Sequence, residues 1–94
     1  MPQIETTSKF SAGRILTTAN AASQLSGPDV TTALRRHLSC DWGDLNFHDR
    51  QQNERALLDG CRLFSAYRSD QGQRFYVITE ADRSVTTLLL PEDY

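Results

Sequence analysis

At Gly60 the hydrophobic period of the chain changes from three and four residues to two, and this switch limits the possible folds more than any other feature. Cys61–Arg68, Arg74–Glu80 and Val85–Leu90 are rich in aromatic and β-branched residues, and the links Ser69-Asp70-Gln71-Gly72 and Ala81-Asp82-Arg83-Ser84 have turn composition. Three sequential strands with short links predict an antiparallel meander. In the last of them Val85, Thr87 and Leu89 alternate with Thr86, Leu88 and Leu90. Apolar groups on both faces suit a central strand or one covered on two sides. Pro91 stops it.

Before the switch the pattern is helical. Thr17 or Thr18 can cap a helix of about two turns over Ala-Asn-Ala-Ala-Ser-Gln-Leu, ended by Gly27 and Pro28. Pro28 suits the first turn of a second helix, and Asp29 places negative charge where the helix dipole favours it. There Val30, Ala33, Leu34, His37 and Leu38 form one apolar stripe facing the core, with Arg35 and Arg36 on the other side. Asp41-Trp42-Gly43-Asp44-Leu45 reads as a turn, Asn46 caps a third helix over 47–59, and Gly60 ends it. That helix carries Phe47, Leu57 and Leu58 among polar residues, so only a narrow side of it can be buried. Upstream, Phe10–Thr17 reads as a short edge strand weakened by Gly13 and placed beside the last strand, and residues 1–9 as a loose lead-in. The expectation is one α+β domain over 10–94: an N-terminal strand, three short helices, then a three-stranded antiparallel meander.

Composition narrows the partners. A chain of 94 residues with 38% hydrophobic content closes a single core. Ten basic and twelve acidic residues give a net charge of −2 and no sustained positive field, so direct nucleic-acid binding is not expected. Leu88-Leu89-Leu90 is the longest apolar run, which excludes a membrane span and the centre of a signal peptide and points to the cytoplasm. Cys40 and Cys61 lack metal or redox spacing and are expected to stay free, as small packing groups.

An enzyme would draw on His37, His48, Cys40, Cys61, Asp41, Asp44, Glu80 and Asp82, but no standard motif joins them. His37, Asp41 and His48 allow a metal site to be drawn, although His37 on the apolar stripe reads better as a core residue. No phosphate-cradling glycine loop and no GxSxG is present, and no cofactor is implied. Nine of the ten basic residues are arginine, spread from Arg14 to Arg83 among acids, a pattern of solvated faces and internal pairs. Trp42 reads either as a peg fixing its turn to the core or as a partner anchor. Glu80 and Asp82 either pair with Arg83 or Arg74, or form an acidic feature that a basic partner reads.

Arg36-His37-Leu38-Ser39-Cys40-Asp41-Trp42-Gly43-Asp44-Leu45, Asn53-Glu54-Arg55-Ala56-Leu57, Gly60–Tyr67 and Val77–Tyr94, with its ITEADRS run, resemble a family of small bacterial proteins carried on plasmids and integrative elements. The resemblance covers 36–94, and it departs from the family at Cys40, where glycine is usual, and at Asn46-Phe47-His48, where an acidic helix start is usual. It carries over no catalytic residues. Its setting implies a non-catalytic protein that binds a host nucleic-acid defence complex, a CRISPR effector or a restriction enzyme, through Asp41, Trp42, Asp44, Glu80, Asp82 and Arg83, with carboxylates standing in for phosphates. The alternatives are an RNA-cleaving toxin using arginines and His48, a small hydrolase using Cys61, and a homodimeric accessory module for conjugation joined at a sheet edge.

Overall fold

Capping side chains set where each helix begins. The computed structural model describes residues 8–94, so most of the expected lead-in, residues 1–7, lies outside the described residues. β1 (Arg14–Thr17) runs into α1 (Ala19–Gln24), whose cap Thr18 accepts the Ala21 N–H at 3.1 Å. Ser26 accepts the Asp29 N–H at 3.2 Å at the start of α2 (Gly27–Leu38), and Asn46 accepts the Asp49 N–H at 2.8 Å at the start of α3 (Phe47–Asp59). Each bond satisfies an amide that the first helical turn leaves unpaired. Gly60 closes α3 in the left-handed region, at φ 72°, where a Cβ is disfavoured. β2 (Leu63–Arg68), β3 (Arg74–Thr79) and β4 (Val85–Leu89) follow, then a 3₁₀ turn over Pro91–Asp93.

Among the described residues the result is an α+β domain with three α-helices and one four-stranded sheet in the order β1-β4-β3-β2. β2, β3 and β4 pair antiparallel, and β1 lies beside β4 at the sheet edge but in parallel, so the antiparallel meander is part of a four-stranded mixed sheet rather than a layer of its own. The three helices and two strands that intervene before β4 give β1 the long connection that a parallel pairing needs and a hairpin could not supply. The strand expected from Phe10 starts only at Arg14. Gly13, at φ 63°, presses its backbone onto Ser84, and a Cβ there would lie 2.2 Å from the Ser84 carbonyl oxygen. Phe10 instead turns away to stack on Trp42 and meet His37 edge-on.

Register divides the sheet into two unlike faces. Leu63, Tyr67, Phe75, Val77, Thr86 and Leu88 share one face and are all buried. α1 and α2 cover it with Ala21, Leu25, Val30, Ala33 and Leu34. A second cluster joins Ala56 and Leu57 of α3 to Trp42, Leu45 and Leu63. The outer edge of β2 is closed without a further strand. Ala66 donates to Trp42 O at 3.2 Å and accepts from Asp44 N at 2.7 Å. Asn53 of α3 pairs with both backbone groups of Phe64. Such cover removes a free edge that invites pairing with another chain. At the other end of the sheet all four residues of β1 are exposed. No helix among the described residues is long and apolar enough to cross a membrane.

Candidate functional site

The residues expected to contact a partner fall into two groups. Asp41, Trp42 and Asp44 form the turn that closes the β2 edge. Asp41 takes a two-pronged bond from Arg36, Nε to Oδ2 at 2.7 Å and Nη2 to Oδ1 at 3.2 Å. That guanidinium, opposed by partial burial, holds the Asp41 carboxyl below its usual range. Tyr67 donates to the Asp41 carbonyl at 2.6 Å, and Arg36 lies 4.8 Å over the Tyr67 ring. Burial is the main force pushing the Tyr67 phenol pKa well up. Trp42 is 3% exposed and donates to Glu54 Oε2 at 2.7 Å, so it pegs the turn to the core and shows a partner almost no surface. Asp44 stays exposed, its Oδ2 3.3 Å from Arg68 Nε.

The second group is the β3–β4 turn. Asp82 Oδ1 accepts from Ser84 Oγ at 2.6 Å and from Ser84 N at 3.0 Å, and these bonds lower its pKa. Arg83 occupies the left-handed region at φ 63°. Its guanidinium donates to Cys61 O at 2.6 Å and to Glu80 O and Ala56 O at 3.2 Å each. This locks the turn against the end of α3 and leaves Glu80 and Asp82 exposed. Asp44 lies beside Ala66 and Arg68, whereas Glu80 follows Thr79, which pairs with Leu63 at the opposite end of β2. At about 3.3 Å per residue the two acidic groups are on the order of 15 Å apart and do not form one patch.

Of the candidate acid–base residues, His37 is fully buried among hydroxyls. The Ala12 carbonyl can only accept, so Thr86 Oγ1 donates to it at 2.8 Å. Its single proton spent, Thr86 accepts from Thr79 Oγ1 at 2.7 Å. Thr79 therefore accepts from His37 Nε2 at 2.9 Å, and Nδ1 accepts from Ser65 Oγ at 2.5 Å. The imidazole is neutral and satisfied at both nitrogens. Burial, with the Arg83 charge second, brings its pKa down to about 4. Among the described residues no group of three or more His, Cys, Asp and Glu side chains could hold a metal ion.

His48 and Cys61 line a common feature, an open cleft of about 700 Å³ between α3 and the start of β2, shared with Arg55, Arg62, Phe64 and Tyr94. The Cys61 thiol is exposed, and His48 Nδ1 is 3.6 Å from Asp49 Oδ1. Of the three apolar residues expected to supply the narrow buried side of α3, only Leu57 packs inward, while Phe47 and Leu58 are exposed, as is the ring of Tyr94, which the sequence did not single out. The poor match of α3 to an amphipathic pattern was the available signal, since apolar residues outside the buried stripe have to face water. Scanned against protein-family models and compared with curated proteins and with solved structures, the chain finds no match.

Proposed function

We propose that this chain is a small binding protein of a mobile genetic element that works in the cytoplasm without chemistry of its own, docking on a host nucleic-acid-handling complex such as a CRISPR effector or a restriction enzyme. The outward face of α3 supports the reading most directly: Phe47 and Leu58 are 69% and 87% exposed. At 3.6 residues per turn their spacing is close to three whole turns, so they share one stripe, roughly 16 Å apart, with Gln51 and Arg55 between them. Apolar anchors at both ends of an exposed helix suit a partner groove. Asp44, Glu80 and Asp82 add negative charge that steers approach to a basic surface. Asp41, Trp42 and Arg83 hold those turns from behind.

The test is capture from a lysate containing CRISPR and restriction complexes, with native protein, a Phe47→Ser/Leu58→Ser variant, and charge reversals at Asp44, Glu80 and Asp82. Loss of a captured complex in the α3 variant supports the reading. Capture that survives every variant at high salt overturns it. Because His48 and Cys61 share the cleft, cleavage of RNA or a generic ester is assayed alongside. Activity that disappears in His48→Ala or Cys61→Ser would make this an enzyme.

A second reading, pairing of two copies through a sheet edge, is favoured by β1. Arg14 N and Thr18 N donate to Ser84 O and Leu88 O, which turns the alternate peptide groups, those of Ile15 and Thr17, away from β4. A dimeric mass by light scattering that reverts to monomer in Ile15→Pro would establish it.

A further inference from the structure

Among the described residues the strands contain three charged side chains, Arg14, Arg68 and Arg74, and no acid. Register puts all three on one face. Arg68 pairs with Arg74, Tyr76 pairs with Leu89, and Arg14 pairs with Val85, and side chains alternate along each strand. This is the face that α1 and α2 leave uncovered, because their core contacts go to Tyr67, Phe75, Val77 and Leu88 on the opposite side.

An aromatic cluster occupies the same face. Phe64 and Tyr76 have ring centroids 4.7 Å apart, and the Tyr94 ring lies 5.8 Å from one and 5.9 Å from the other. Phe64 and Tyr76 are half-buried, and Tyr94 is 66% exposed. Arg74 lies 5.7 Å from the Tyr76 ring centre. Arg62 lies 5.8 Å from that of Tyr94 and donates to its hydroxyl at 2.6 Å. Folding gains little from this arrangement of charge. Arg68 and Arg74 stand directly opposite across the ladder, where like charges destabilise a sheet. Asp44 relieves only Arg68, and among the described residues no carboxylate lies within ion-pair distance of Arg14, Arg62 or Arg74.

We propose that this sheet face binds single-stranded nucleic acid, with Phe64, Tyr76 and Tyr94 stacking on unpaired bases and Arg14, Arg62 and Arg74 taking the phosphates. The choice of occupant follows from the combination. Half-exposed rings fit the planes of bases, and unpaired cations beside them fit a backbone carrying one charge per nucleotide. A duplex keeps its base planes stacked internally and offers the rings nothing. Arg14 on β1 and Arg68 on β2 are three strand spacings apart across the sheet and, because Arg14 is level with Val85 while Arg68 is level with Arg74, about six residues apart along it, on the order of 24 Å in all, so the track runs diagonally over the face. The net charge of −2 is an average over the whole chain, whereas the only charged residues of the described strands are arginines. This site goes beyond the docking face of α3 and does not depend on it.

Anisotropy of labelled oligo(dT) and oligo(U) of about 12 nucleotides tests the proposal. At about 50 mM salt saturable binding to either probe is expected, weakening roughly tenfold at about 200 mM. Tyr76→Ala should weaken binding about tenfold, and Arg14→Ser and Arg74→Ser about fivefold each. Arg35→Ser, the same charge loss on the exposed side of α2, should leave the affinity unchanged. Tyrosine emission should be quenched, while that of Trp42, buried in the other cluster, stays constant. Should Tyr76→Ala fail to fold, exposed Arg14 and half-buried Arg74 decide. Absence of binding at low salt, a duplex competing as well as the single strand, or undiminished affinity in folded Arg14→Ser and Arg74→Ser would overturn the proposal. So would a captured protein lost in those variants while the oligonucleotides do not bind.

Discussion

Asn53 meets Phe64 with both ends of its amide: Nδ2 donates to the Phe64 carbonyl at 2.6 Å, and Oδ1 accepts the Phe64 N–H at 3.1 Å. A helix side chain thereby completes the ladder of an edge strand, so α3 is tied to the sheet by backbone as well as by packing. Asn53→Leu leaves two partly buried backbone groups without partners and should cost about 3 kcal/mol. Asn53→Asp retains the acceptor alone and should cost about half as much. Urea denaturation should show a lower midpoint with an unchanged slope.

His37 makes stability depend on pH in a window of its own. Its pKa falls from 6.5 to about 4 on folding, so the unfolded chain takes up the proton first. The contribution is complete above the unfolded value and is lost as pH falls through 4, about 3 kcal/mol in all. Asp41, lowered by its bond from Arg36, and Asp93, lowered by its bond from Thr18, lose their contributions only below the ordinary carboxylate range. Thermal melts of His37→Phe should therefore be flat across the histidine window and still fall below it. A wild-type slope in that window would show that another group titrates there.

Gly43 allows the Trp42 turn to lie against β2. Its φ is 75°, and a Cβ would sit 1.9 Å from the Ala66 carbonyl oxygen, which is backbone and cannot swing away. Gly43→Ala should detach the turn, with a loss of more than about 2 kcal/mol. Emission of Trp42, the only tryptophan, should shift to the red in the variant, since the indole leaves its buried position.

Local chemistry made much of the fold readable. Pro28 stands in the first turn of α2 and Asn46 caps α3 as their residue types predict, Gly60 ends α3, and the turns at Gly72 and Ser84 separate the strands. What stayed hidden was set by contacts distant in sequence. Nothing near Arg14 tells that β1 runs parallel to β4, and nothing near Asn53 announces its bond to Phe64. The binding surfaces were harder still. Asp41 and Asp44 read as free charge in a linear chain, yet Arg36 and Arg68 reach them only once the turn has folded. The aromatic cluster could not be drawn before register was known, because Phe64, Tyr76 and Tyr94 lie on separate elements.

Arg83 is the bolt of the β3–β4 turn, and its value lies in the planar fork that reaches three carbonyls. Arg83→Lys keeps the charge but replaces the fork by one point donor, so it should cost about 1–2 kcal/mol. Arg83→Gly removes the bonds and relieves the left-handed backbone, and should lose less than Arg83→Ala by up to about 1 kcal/mol. Ordering the three variants by melting temperature separates the side-chain contribution from the backbone one. Equal losses for Ala and Gly would mean that φ 63° carries no strain at this position.

Leu57 and Leu58 are neighbours on α3 with opposite surroundings, and their substitution should give opposite results. Leu57 packs against the cluster of Trp42, Ala56 and Leu63, whereas Leu58 is 87% exposed. Leu57→Ser removes packed surface and should cost about 2 kcal/mol. Leu58→Ser, alone or with Phe47→Ser, removes side chains that nothing covers, so the melt should stay within about 0.5 kcal/mol of wild type. Retention on a hydrophobic column should fall for the double variant and not for Leu57→Ser judged on its folded fraction. The pair tests whether the outward stripe of α3 is maintained for something other than folding. A double variant that melts well below wild type would place Phe47 and Leu58 in the core's service and remove the docking surface on which the proposed function relies.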